Sequence, residues 1–248
     1  MSPERFARIT DMLNKRQTDL TICLETVHKP HNLSAIVRTA DAVGVHNVHA
    51  VWSTDSPRMA QGTAAGSSCW VGVKRHDNIK DAIEVMRAQG MQILATNLSP
   101  NAVDFREIDY TKPTAFLVGQ ERDGISDQAL ALADQHVVVP MLGMVQSLNV
   151  SVAGALLLYE AQRQREAAGM YDGPCTVDKT ERDRLYFEGG HPIFARACLQ
   201  KEMPYPQIDE NGQIVADELW WQKMQMNKKA WQHLDDESDD KSDHESNH

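Results

Sequence analysis

Hydrophobic and polar positions along the chain follow two periods, and the switches between them mark an alternating series of helices and strands. Ser2-Pro3 opens a helix on which Phe6, Ile9, Met12 and Leu13 recur at helical spacing. Leu20 to Leu24 reads as the first strand. Pro30 ends the extended segment after it. Asn32 is placed to cap a helix striped by Ile36, Ala40 and Val43, and Gly44 stops that helix. Strands follow at Val48 to Trp52, Val71 to Lys74, Gln92 to Thr96 and Thr114 to Val118, with a helix from the Asn78 cap to Gln89 among them. A last apolar run, Val137 to Val139, is cut off by Pro140. After a polar loop, Val152, Ala155, Leu156, Tyr159 and Arg163 share one side of a long helix. Alternation of this kind predicts an α/β fold on a parallel sheet.

Beyond Gly169 the pattern changes. Asp172 to Pro174 is a turn, and short helices are expected near Lys179 to Phe187, at Pro192 to Lys201 and from Asp217 to about Leu234. A turn signal at Asn211-Gly212 separates the last two, and Trp220, Trp221 and Trp231 anchor the final helix. The expected organisation is an N-terminal helical extension (1–19), a core (20–170), a C-terminal helical extension (171–234) and a disordered acidic tail (235–248).

The tail matters for reading the charge. It holds seven acids against one base, a net −6 of the chain's −10, so the other 234 residues carry only −4. With almost nothing apolar to bury, it is expected to stay disordered. Two basic clusters remain, Arg5, Arg8, Lys15 and Arg16 near the start and Arg182, Arg184, Arg196 and Lys201 in the C-terminal extension. The four cysteines, Cys23, Cys69, Cys175 and Cys198, are scattered without a CxxC pair, which suggests neither zinc nor a disulfide framework. His46 and His49 face opposite ways on a strand, and His28 and His31 flank a proline; no metal is expected. No run approaches the ~18 apolar residues of a membrane span, and the charged N-terminus is no signal peptide. The expected compartment is the cytoplasm.

Three loops at expected carboxyl ends of strands carry the candidate chemistry. One runs through HKPHN into the helix that bears Arg38. A second, GQERDGIS, brackets Glu121 between Gly119 and Gly124, where two glycines let backbone approach a ligand. A third places Gly143, Gln146, Ser147 and Asn149 between a buried strand and a long helix. None is a GxGxxG or P-loop lysine motif, so nucleotide phosphate binding is not supported. Such loops sit where α/β sheets bind ligands, although a serine and an asparagine there also serve as ordinary helix caps.

Together, NLSAIVRTADAVG, LVGQERDGIS and VPMLGMVQSLNVSVAGALLLYE resemble the three signature stretches of the SpoU class of RNA ribose 2'-O-methyltransferases, in the same order. The N-terminal SPERFARITDML, NAVDFREIDYTKPT and the C-terminal FEGGHPIFARA extend the likeness to the tRNA guanosine-2'-O-methyltransferase (TrmH) branch. The resemblance implies a SPOUT-type parallel sheet with a C-terminal deep trefoil knot, built from the strands ending at Thr96, Val118 and Val139 and the helix after Asn149. It implies S-adenosylmethionine held by Thr96, Gly119, Val139, Met144 and Leu148, without metal. It further implies a homodimer with its active site across the interface, and tRNA as partner, methylated on a guanosine ribose, most plainly position 18 of the D-loop. Arg38 corresponds to the family's essential arginine, with Asn32, Glu121, Ser147 and Asn149 shaping the pocket. RNA contacts fall to the basic clusters and to Arg58. Alternatives are ribosomal RNA or the tRNA wobble ribose as substrate, or a tRNA-binding protein without catalysis. The group that accepts the 2'-hydroxyl proton stays open.

Overall fold

The computed structural model describes residues 1–27, 29–52, 70–120 and 124–226. The chain forms two compact units, residues 11–177 and residues 1–10 together with the chain from 178 onward.

The larger unit is built on seven parallel strands: β1 (Leu20–Glu25), β2 (Asn47–Val51), β3 (Gly72–His76), β4 (Gln92–Thr96), β5 (Val103–Asp104), β6 (Thr114–Val118) and β7 (Gln135–Val138). Their spatial order is β3-β2-β1-β6-β4-β7-β5. Residues of β1 and β6 alternate between two apolar layers, as period-2 geometry requires. Leu20, Ile22, Leu24, Phe116 and Val118 face one layer, and Cys23, Ala115 and Leu117 the other. On the first side lie helices α2 (Pro30–Ala42) and α5 (Val150–Ala167); on the second lie α3 (Ile79–Ala88) and α4 (Asp127–Leu132). Helices on both faces explain why the central strands read as continuous apolar runs.

One sequence expectation is corrected here, and a second is completed. Lys29, not Asn32, caps α2, and Pro30 is its first helical residue. Proline suits that position because its missing N–H has no helical partner there. Asn32 therefore sits inside the first turn, with no bend to bring it to Arg38. The second concerns α5, which buries Gly154, Leu157, Leu158, Ala161 and Arg165 and leaves Val152, Leu156 and Tyr159 exposed. The helix is apolar on both sides, and the small residues chose the face. A β-carbon on Gly154 would lie 3.1 Å from Ile22 and 3.7 Å from Ile36, so glycine there lets α5 approach β1 and α2 closely.

The smaller unit contains α6 (Lys179–Gly190), α7 (Pro192–Lys201), the hairpin β8 (Gln207–Ile208) and β9 (Ile214–Val215), and α8 (Glu218–Gln225). Phe187, Ala195, Cys198, Met203 and Trp220 form its core, with Phe194 and Trp221 against it. Within this unit Phe6 of α1 (Pro3–Asn14) stacks on Tyr186 at 5.1 Å, and Arg5 Nε donates to the Gly189 carbonyl at 2.7 Å. The expected turn at Asn211-Gly212 closes the hairpin, with Gly212 at φ +75°. The expected continuation of the last helix, Trp231 included, and the acidic tail lie outside the described residues.

Candidate active site at the carboxyl edge

Parallel strands bring all their carboxyl ends to one edge, and the loops that leave it carry the candidate residues. Strands β6, β4 and β7 are neighbours, so Gly119, Thr96 and Val139, each at or just past a strand end, stand in a row. Thr96 donates its hydroxyl to the Leu117 carbonyl at 3.0 Å, tying two of those ends together. Gly119 is buried, and a β-carbon there would lie 2.0 Å from the Gly124 carbonyl oxygen. No other residue fits. The loop closes on itself through Gln120 N–H to Gly124 O (2.9 Å) and Gly124 N–H to Gln120 O (3.0 Å), with Gly124 at φ +70°. Glu121, between them, lies outside the described residues, as does Arg58.

The third loop brings two helix starts together. Asn149 caps α5 by accepting from Ser151 N–H at 2.9 Å, and its Nδ2 donates to Asn32 Oδ1 at 3.3 Å. Asn32 is buried and Asn149 exposed, so the pair joins the amino-terminal turns of α2 and α5 at the surface of the site. Ser147 is exposed, Leu148 half-buried, and Met144 fully open at 99%. Arg38 is not drawn into this group. Six residues along α2 separate it from Asn32 by about 9 Å of rise and about 120° of rotation. It is exposed, and among the described residues it has neither a hydrogen-bond nor an ion-pair partner.

The basic residues divide by what already holds them. Arg16 is corrected outright. It is buried, its guanidinium paired with Asp41 at 2.6 Å and donating to the Val45 carbonyl at 3.0 Å, so it cannot meet a phosphate. Lys201 spends its ammonium on the carbonyls of Lys223, Met224 and Met226 at the end of α8. Arg184 is locked between Glu181 and Glu188, which hold its guanidinium in the charged form. Both cations are thus already engaged within the protein. Arg8 and Arg196 are exposed, and Arg182 is half-exposed, without partners among the described residues. Arg5 and Lys15 are exposed, each with one side-chain contact among the described residues.

Sequence reasoning missed two polar groups. Glu25, the last residue of the fully buried strand β1, receives two hydrogen bonds from Ser126. A charge ending an apolar run was the signal. On β2 and β3, His49 Nδ1 lies 2.8 Å from His76 Nε2, with the rings stacked. Burial, then His76 and Lys74, push His49 down to about 4. Among the described residues no cluster of three histidine, cysteine or acidic side chains is placed to hold a metal.

Val139 and Leu148 are half-buried at this edge, and Met144 is open.

Comparison with known proteins bears on this arrangement. Residues 19–159 match the SpoU rRNA methylase family, and residues 163–217 match the C-terminal family of SpoU rRNA methylases. The tRNA (guanosine(18)-2'-O)-methyltransferase of Escherichia coli K12 is 60% identical over 226 residues, spanning 91% of this chain and 99% of that protein. The crystal structure of the Aquifex aeolicus TrmH/SpoU tRNA modifying enzyme superposes with a TM-score of 0.69 at 41% identity, over 77% of this chain and 97% of that one. An AdoMet-bound rRNA methyltransferase from Sinorhizobium meliloti superposes at 0.54 with 34% identity, over 61% of this chain and 59% of that one.

Proposed function

This chain belongs to the SpoU rRNA methylase family, and from that premise we propose that it transfers a methyl group from S-adenosylmethionine to the ribose 2'-hydroxyl of guanosine 18 in tRNA. The observation that carries the tRNA reading is the reach of the likeness. At 60% identity it spans 99% of the Escherichia coli relative, so it takes in the smaller unit and not only the cofactor-binding core.

When bound, S-adenosylmethionine supplies a methyl group activated by its sulfonium. The residues in the row Gly119, Thr96 and Val139, with Met144 and Leu148, hold it in place. Asn32 and Asn149 fix the two helix starts beside it, and Ser147 and Glu121 complete the pocket. Arg38 binds the phosphate next to the target ribose and stabilises the alkoxide that develops on the 2'-oxygen. It does not take the proton, because a guanidinium is effectively never deprotonated in proteins. Its exposed guanidinium, with no partner among the described residues, fits a side chain kept free for RNA. Arg5, Arg8, Lys15, Arg182 and Arg196 neutralise phosphates elsewhere on the tRNA.

The protein works as a homodimer in this reading. Val152, Leu156 and Tyr159 on α5 are exposed apolar residues, as are Leu142, Met144 and Val145 in the loop before it, and a second copy is the occupant that covers them in this reading. The same reading has β4, β6, β7 and α5 tied in the family's trefoil knot, supported by the adjacency of those strands and the close seating of α5 at Gly154. The compartment in this reading is the cytoplasm, supported by the likeness to a tRNA-modifying enzyme.

The test is a tRNA transcript carrying 2'-deoxyguanosine at position 18. Unmodified transcript takes up one methyl per molecule, and the deoxy transcript takes up none. Equal uptake by both refutes the assignment of the target ribose.

A further inference from the structure

Strand β1 lies between β2 and β6, and all six of its residues are buried. Placing a carboxylate at its end costs desolvation unless the charge is fully met. Among the described residues Glu25 is met by Ser126, 101 positions away. Ser126 N–H donates to Oε2 at 2.9 Å, and the Ser126 hydroxyl donates to Oε1 at 2.6 Å. The next residue, Thr26, adopts φ +57°, a strained conformation for a β-branched side chain, with its N–H on the Val51 carbonyl at 3.0 Å. Strain beside a buried charge marks a spot where position is specified.

Ser126 does not need Glu25 in order to cap α4, since its own Oγ already accepts from Ala129 N–H at 3.2 Å. What the carboxylate adds is the place of Ser126 relative to the end of β1. Two residues before Ser126 is Gly124, whose backbone is paired both ways with Gln120 and against which Gly119 is wedged. Glu25, Ser126, Gly124, Gln120 and Gly119 thus form one short mechanical chain from a central strand to the glycine loop.

We propose that Glu25 is a positioning residue for the methyl-donor site: its carboxylate, acting through Ser126, sets where Gly119 presents its backbone to S-adenosylmethionine. This rests on the reading that Gly119 contacts that cofactor. Glu25 touches neither cofactor nor RNA. Glu25→Gln keeps the size but turns an amide toward one of the two Ser126 donors. Ser126→Ala removes the hydroxyl and keeps the N–H.

The experiment measures S-adenosylmethionine binding by calorimetry, steady-state kinetics and Tm for Glu25→Gln, Ser126→Ala, the double variant and Ser126→Thr. Glu25→Gln weakens cofactor binding by about tenfold, the size of a displacement well under an ångström, while the KM for tRNA stays within about twofold. The double variant is no worse than Glu25→Gln alone, because both changes cut one link. Ser126→Thr, which keeps the hydroxyl, restores wild-type binding. Cofactor affinity within about twofold of wild type in both Glu25→Gln and Ser126→Ala, whatever their Tm, overturns the proposal, as do additive losses. Wild-type protein that binds no S-adenosylmethionine would instead sink the reading of the site itself.

Discussion

The two edges of the parallel sheet are both polar, and they use polarity in opposite ways. At the amino edge Arg165, wholly buried on α5, donates to the carbonyls of Tyr110, Asp19 and Lys112, to Gln17 Oε1 at 2.9 Å and to Asp19 Oδ1 at 2.5 Å. All three nitrogens of that guanidinium are committed, and it ties the end of α5 to the segments that enter β1 and β6. Arg38, on the neighbouring helix α2, is exposed and without partners among the described residues. At the carboxyl edge Asn149 and Ser147 are exposed and Met144 is open. A satisfied network rigidifies a fold; an exposed guanidinium without a partner among the described residues is available for a ligand. Arginine serves both purposes here, and only its neighbours say which.

The sharpest way to break this contrast is to remove each arginine. Arg38→Ala lowers methyl transfer at least about a thousandfold, roughly 4 kcal/mol of barrier. It leaves Tm unchanged and S-adenosylmethionine affinity within about threefold. A large loss of cofactor binding would put Arg38 in the wrong role. Arg165→Met does the reverse. It strands Asp19 and costs about 3 kcal/mol of stability in denaturant titrations, the low end for a broken buried pair because Asp19 is 36% exposed. Activity per folded molecule stays near wild type.

The His49–His76 pair, in which His49 is buried, adds a pH dependence to the stability side. An unfolded histidine takes its proton near 6.5, whereas His49 in the fold resists down to about 4, chiefly through burial. His76 is also lowered, again chiefly by burial. The unfolded chain therefore binds more protons between those values. Stability is full above about pH 6.5 and falls as pH drops toward about 4, by up to about 3 kcal/mol. Thermal melts at pH 7.5 and 5 check this, and His49→Gln flattens the difference. An equally steep fall in that variant assigns the effect to other groups.

Smaller effects are expected at the surface. Arg5→Gln with Arg8→Gln weakens tRNA binding and flattens the slope of log affinity against log salt by about 1 for each phosphate no longer neutralised, with cofactor binding untouched. Removing the chain after Leu234 changes turnover least, because the tail carries charge and no motif. Turnover that collapses in a folded truncate would overturn that view.

These contrasts also show what a single sequence discloses. The strands Gln92–Thr96 and Thr114–Val118 appear as expected, because central parallel strands are short apolar runs with clear punctuation. The cap at Asn78 follows from local chemistry and is equally legible. The buried face of α5 is not, because its two sides are similarly apolar and the choice is made by small residues fitting against β1 and α2. The start of α2 is ambiguous because a proline ends an extended segment and also suits the first helical position, and Asn32 two residues later offers a false cap. Among the basic residues, charge alone does not separate Arg16, whose partner Asp41 is distant in sequence, from Arg8, which has none among the described residues. The Glu25–Ser126 and His49–His76 pairs depend on which strands and loops become neighbours, and periodicity carries no record of that.

The central claim is that the protein methylates one ribose in tRNA. The most direct measurement offers the protein unmodified tRNA and ribosomal RNA together with methyl-labelled S-adenosylmethionine and maps the labelled nucleotide. Label is expected on the 2'-oxygen of guanosine 18 in tRNA and not on ribosomal RNA. Label on the wobble ribose, on a base or on ribosomal RNA, with guanosine 18 unmodified, would contradict it.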